Sequence, residues 1–211
     1  MQLAHLGKAI NGIARGFPRV VTMGPERVVA ESRRLAESVR ASGYAPTHVV
    51  AIAKGGIAIA EPFHDVFPDA GFMVVTRQRA GTAIKERNGG FRRLVQRAPE
   101  GITTLLRRVE HWSRYVERDF ARDPVMPDEP DGLVWPDAGP APQRIVVVDD
   151  AVDTGLSIEY VSQSARRRFG PDCQVRMAVL TVSGVNPHAR ADYALMRGVN
   201  IRFFWSKDYR A

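Results

Sequence analysis

The segment Arg144-Ile-Val-Val-Val-Asp149 constrains this chain more than any other. Its middle is β-branched throughout, with no polar residue alternating in, so it reads as a strand buried on both faces at the centre of a covered sheet. It ends in two adjacent carboxylates, Asp149 and Asp150, and runs on as Ala151-Val152-Asp153-Thr154-Gly155-Leu156-Ser157. A helix is expected over Gly155–Phe169, and a further strand over Gln174–Val182. Upstream, Pro25 suits the first position of a helix over Pro25–Ala41, in which Val28, Leu35 and Val39 share a face. His48–Ala53 reads as a short apolar strand ending at Lys54-Gly55-Gly56. Ile57–Phe63 reads as a helix packed back on the sheet, and Gly71–Thr76 as another strand. Strands alternating with helices predict an α/β fold: an open, mostly parallel, twisted sheet flanked by helices.

Residues 77–143, between two of these strands, are too many for an ordinary connection. Ile102, Leu105, Leu106, Val109, Trp112, Val116 and Phe120 recur at helical spacing, which predicts a helical insert. Its Trp112 and leucines suit packing or subunit contact. Pro124, Pro127, Pro130, Pro136, Pro140 and Pro142 then mark an extended acidic loop. The charge is uneven: Arg77–Pro99 carries seven Lys or Arg against Glu86 alone, and Asp119–Ala138 carries six acids against one Arg. The net charge of +7 suits nucleic acid or a small polyanion equally. No apolar run is long enough to span a bilayer, the N-terminus lacks the apolar centre of a leader, and the single cysteine, Cys173, permits no internal disulfide. A cytoplasmic, non-membrane protein is expected, as one domain over 1–211.

The chemistry concentrates where the Val-rich strand ends. In an open α/β sheet, ligands bind beyond the carboxyl ends of the strands. Backbone N–H groups of the turn and of the following helix start form an anion cradle, to which Thr154 and Ser157 add hydroxyls. Gly155 allows close backbone approach. The two carboxylates before the cradle would repel a bare phosphate, so they serve another part of the ligand. A sugar diol, or a metal-bound diol, is the natural match. The bland alternatives are a pair of acids capping a strand and turn, or the Mg²⁺-binding pair of a receiver domain, which belongs to the first strand of a shorter chain.

From Val146 to Gly155 the sequence resembles the signature of the type I phosphoribosyltransferases: β-branched residues, two acids, two variable residues, then Asp-Thr-Gly. The resemblance implies an enzyme that uses phosphoribosyl pyrophosphate (PRPP) and Mg²⁺ to attach ribose 5-phosphate to a ring nitrogen of a nucleobase, a purine by preference. By the same resemblance Asp149 and Asp150 hold the ribose hydroxyls and, with Asp208, the metal. Ala151, Val152, Asp153, Thr154, Gly155 and Ser157 form the loop around the 5-phosphate, and Asp153 is the candidate general base. Lys54, Gly55 and Gly56 match the pyrophosphate loop, with Lys54 also catalytic and a cis peptide implied at Ala53–Lys54. Taken alone, Lys-Gly-Gly is equally a tight strand-to-helix turn.

Two further elements fit the same family. The basic stretch after Arg77 takes the place of its mobile lid, with Lys85 and Arg87 beside Gly81, Gly89 and Gly90, although a solvated basic face explains any one of these as well. The Ser-Tyr pair of hypoxanthine-guanine enzymes is missing from that stretch. Residues 183–211 take the place of a small C-terminal hood, in which Trp205 stacks on the base while Phe203 and Phe204 read as core. The five histidines form no metal-ligand pattern. Relatives in the family are commonly dimers or tetramers, so a homo-oligomer is expected. Two competing functions remain: a PRPP-binding regulator of nucleic acid, against which the intact acid triplet and Lys54 weigh, and phosphoribosyl transfer to an unusual acceptor.

Overall fold

The computed structural model describes residues 19–53, 55–75, 104, 143–183 and 190–210. The elements in chain order are β1 (Arg19–Met23), α1 (Pro25–Ala41), β2 (His48–Ile52), α2 (Gly55–Ala60), α3 (Phe63–Val66), β3 (Gly71–Val75), β4 (Arg144–Val152), α4 (Leu156–Phe169), β5 (Gln174–Val182), β6 (Tyr193–Arg197) and β7 (Val199–Phe203). Five strands form one parallel sheet in the order β3-β2-β4-β5-β6, and β1 pairs in parallel with β7 in a separate two-stranded sheet. The expected open parallel sheet is therefore present. No described helix is long and apolar enough to cross a membrane.

The Val-rich strand lies at the centre because both its faces are apolar. Val146 and Val148 join Val28, Leu35 and Val39 of α1, Ile59 of α2 and Phe63 of α3 in one buried cluster. Ile145 and Val147 alternate to the other face, where Ile158, Val161 and Ala165 of α4 cover them. The β1–β7 sheet contributes Met23, Ile201 and Phe203 to the first cluster, so the hood rests on the same core as α1.

Several boundaries differ from the sequence reading, each for a local reason. The helix expected over Ile57–Phe63 spans Gly55–Ala60 instead, and a second short helix starts at Phe63. Pro62 between them has no N–H to continue the first. Gly155 is not part of α4 but its left-handed N-terminal residue, at φ +79°. β4 continues past the acid pair to Val152. Phe204, expected in the core, is 37% exposed, because the chain turns immediately after β7. Short β1 and β6 carry too little apolar pattern to have been read. β6 joins the main sheet, so the segment after 183 divides between two sheets.

Tyr44 ties the entry of the two central strands together. Its hydroxyl lies 3.0 Å from the carbonyl oxygens of Ile145 and Gln174, which share its single proton. Burial pushes its ionisation above the ordinary range, and the Arg176 guanidinium only partly offsets this. A raised folded-state pKa stabilises below the unfolded value and is lost as pH rises beyond it, which for tyrosine begins near pH ~10. Urea denaturation of Tyr44→Phe should show a loss of about 1 kcal/mol at neutral pH. The same variant should lack the part of the alkaline destabilisation that wild type shows above that pH.

Candidate active site at the ends of strands β2 and β4

The strand order places a switch point between β2 and β4. From β2 the chain moves outward to β3, then returns to the other side of β2 as β4 and continues away through β5 and β6. α2 leaves β2 toward the face of Val146 and Val148, and α4 leaves β4 toward the face of Ile145 and Val147, the divergence beyond which such sheets usually bind a ligand in a crevice. Both sequence motifs follow these two strands: Lys54-Gly55-Gly56 after β2, and Asp149 to Ser157 at the end of β4.

The register sharpens this. β4 pairs with β2 only as far as Val148, opposite Ala51, but with β5 as far as Val152, opposite Val182. Asp149 to Val152 therefore lie beyond the last pair with β2, and Asp150 to Val152 beyond its end. Strand alternation sends the two carboxylates to opposite sides. Asp149, 7% exposed, lines a shallow cup together with Ala151, Val152, Asp153, Thr154, Gly155, Ser157 and Ile158, and its Oδ1 accepts the Asp150 N–H at 2.8 Å. Asp150 instead lies against the glycine turn that opens α2.

That contact explains the two glycines. A Cβ on Gly55 would run into the Asp150 carboxylate, and a Cβ on Gly56 would lie 2.5 Å from the Val148 carbonyl oxygen. The helix start thus lies directly on the last paired residue of β4, closer than any side chain permits. Gly155 meets a different demand: its φ of +79° turns the cup into α4, a conformation costly for any L side chain. The Leu156 N–H faces Thr154 Oγ1 at 3.4 Å, and the Glu159 N–H closes the first turn of α4 on the Gly155 carbonyl at 2.9 Å. The cup is held from below by the Ser183 N–H, which donates to the Val152 carbonyl at 2.9 Å.

The hood residues lie on the other sheet. Trp205 is half-buried, with the Phe203 ring parallel to it at 4.6 Å and 4°, and Phe204 edge-on at 4.7 Å. Asp208 accepts from Arg202 Nε at 3.0 Å in an ion pair whose side chains are 3% and 8% exposed. Among the described residues no three His, Cys, Asp or Glu side chains converge as a metal ligand set, so Asp208 does not join Asp149 and Asp150 in a preformed one. Lys54, the Ala53–Lys54 peptide, Lys85, Arg87 and the expected insert apart from Thr104 and Gln143 lie outside the described residues. Arg202 was not singled out from sequence, although an arginine inside the apolar run Ile201-Arg-Phe-Phe-Trp205 was the available signal.

No protein-family model and no curated protein matches the chain. Among solved structures, it is similar to a purine phosphoribosyltransferase from Pyrococcus horikoshii, at 18% identity over 91% of this chain and 97% of that one, with a TM-score of 0.55. It is also similar to the xanthine-guanine-hypoxanthine phosphoribosyltransferase of Helicobacter pylori, at 17% identity over 89% of this chain and 92% of that one, with a TM-score of 0.52. With its sheet order and its crevice at the ends of β2 and β4, the chain has the type I phosphoribosyltransferase fold.

Proposed function

We propose that this chain is a cytoplasmic phosphoribosyltransferase that moves ribose 5-phosphate from PRPP to a ring nitrogen of a purine base. The observation that carries the reading is the overhang of β4, which brings an acid pair and an anion cup to the crevice, directly against the glycine turn after β2. In the reaction the C1–oxygen bond to pyrophosphate breaks, the C1–nitrogen bond forms, and the ring nitrogen loses its proton. Pyrophosphate departs with the bonding electrons.

The residues divide the ligand between them. The cup from Asp153 to Ser157 offers backbone N–H groups, the Thr154 and Ser157 hydroxyls and the start of α4 to the 5-phosphate. Asp149 and Asp150 accept hydrogen bonds from the ribose hydroxyls. Asp153 is the candidate acceptor of the ring proton. The turn at Lys54, Gly55 and Gly56 takes the pyrophosphate, with Lys54 countering its charge. Catalysis of this kind is positioning and charge stabilisation, with no covalent nucleophile on the protein.

The donor chemistry of the acid pair fits Mg²⁺ held mainly by the substrate. Two neighbouring carboxylates offer hard oxygen ligands, and Asp150, half-buried against a glycine turn, lies toward the pyrophosphate loop. Asp149 and Asp150 would hold the ion through the ribose hydroxyls and water, and the ion would offset charge on the departing pyrophosphate. Asp208 already neutralises Arg202 and is less suited to that role. Lys85 and Arg87 complete the reading as lid residues, and a homo-oligomer as its assembly.

Pyrophosphate release from PRPP with Mg²⁺, measured against a panel of purine and pyrimidine bases, tests the function. Turnover with a purine, abolished in Asp149→Asn/Asp150→Asn, is the expected outcome. Silence across the panel despite tight PRPP binding by calorimetry would replace the enzyme with a PRPP-sensing regulator. Gly55→Ala should keep the far-UV circular dichroism of wild type and lower PRPP affinity by about tenfold or more, because its Cβ displaces the Asp150 carboxylate. Unchanged affinity in that variant would separate the glycine turn from the substrate.

A further inference from the structure

β7 alternates as a strand should, but with an unusual residue on its outer face. Ile201 and Phe203 enter the main core, and Arg202 between them projects to the opposite side, beside its register partner Thr22 on β1. An arginine there would ordinarily reach solvent, yet Arg202 is 2% exposed. Its guanidinium gives Nε to Asp208 Oδ2 at 3.0 Å, Nη1 to Thr22 Oγ1 at 3.4 Å and Nη2 to Thr104 Oγ1 at 3.0 Å. A planar fork with several fixed donors can hold three such partners at once, and a lysine ammonium on a flexible stem cannot hold them in the same geometry.

What lies between Arg202 and Asp208 gives this network its meaning. The chain makes two successive turns there, closed by the Ser206 N–H on the Phe203 carbonyl at 2.8 Å and the Tyr209 N–H on the Ser206 carbonyl at 3.1 Å. Trp205 sits in the first turn, with Phe203 parallel to its ring. The ion pair therefore closes the base of the loop that presents the indole. Thr104 lies between β3 and β4 in sequence, so the same arginine joins it to the loop.

We propose that Arg202 is a positioning residue that fixes the plane of Trp205 for stacking a planar heteroaromatic base, and that Thr104 is part of that support. This rests on the reading of Trp205 as the platform for the base. The chain has three tryptophans, so Trp112→Phe/Trp135→Phe leaves Trp205 as the sole tryptophan, read by exciting at wavelengths that tyrosine does not absorb. In that background, Arg202→Ala and Asp208→Asn should shift the Trp205 emission to the red and raise its quenching by acrylamide. Arg202→Lys, which keeps a charge for Asp208, and Thr104→Ala, which keeps the ion pair, should give smaller shifts in the same direction. These two milder variants carry the test if Arg202→Ala does not fold.

In steady-state assays the same variants should raise the KM for the base by roughly tenfold and leave the KM for PRPP within about twofold. A wild-type protein that turns over no base refutes the functional reading alone, since the emission measurement needs no turnover. Emission and quenching unchanged in all folded variants would overturn the positioning role. So would a rise in the KM for PRPP in place of that for the base in Asp208→Asn, which would return Asp208 to the metal.

Discussion

The candidate site depends on how closely the first turn of α2 approaches the last paired residue of β4. Gly56 lies where any Cβ would be 2.5 Å from the Val148 carbonyl, and Gly55 lies against the Asp150 carboxylate. Without that approach the two loops at the switch point would be separate turns. With it, the backbone that follows β2 and the carboxylates that end β4 form one surface. The overhang of β4 is the complementary half of the arrangement. Past the last pair with β2, Asp149, Ala151 and Val152 keep their ladder to β5. A strand paired on both sides to its end would use those backbone groups in the sheet.

The neighbouring acids are a problem of electrostatics that strand geometry partly solves. Two carboxylates in sequence would repel if they shared a face, but the period of two sends Asp149 into the cup and Asp150 to the α2 side. Asp149 then satisfies one oxygen with the backbone N–H of its neighbour. Burying one carboxylate and half-burying its neighbour at a strand end contributes nothing to folding that an uncharged pair would not. The proposed function gives them a use, as acceptors for ligand hydroxyls.

How much of this was legible in the sequence differs by element. β4 was readable because its unbroken run of Ile and Val fits a strand covered on both sides, and β5 because its apolar stretch follows a helix at strand length. The face of α1 was readable from Val28, Leu35 and Val39, all three of which are buried. The acid pair and the cup were readable because their spacing and their strand–turn–helix context agree. Short β1 and β6 were not, since five residues with mixed exposure carry no period strong enough to separate from a loop. The interruption after Ala60 was legible in principle from Pro62. The contact between Gly55 and Asp150 was not, because it is a distance between segments far apart in the chain, and two glycines after a strand look alike whether or not anything rests on them.

Arg202 illustrates the opposite kind of information, a violation of local pattern that only tertiary structure explains. Moving a guanidinium and a carboxylate out of water costs several kcal/mol each, about as much as their attraction returns, so a buried pair stabilises little compared with apolar residues of similar size. Breaking it is different, because removing one partner strands the other and costs about 3–5 kcal/mol. A pair with small net stability and a large penalty for misplacement selects one geometry more than it strengthens the fold. At the closure of a loop that carries an aromatic ring, such a pair would hold the ring in one orientation without adding bulk to the ring's own face, which is what the proposed positioning role requires. The third donor of Arg202 extends this selection to Thr104, whose hydroxyl accepts at 3.0 Å.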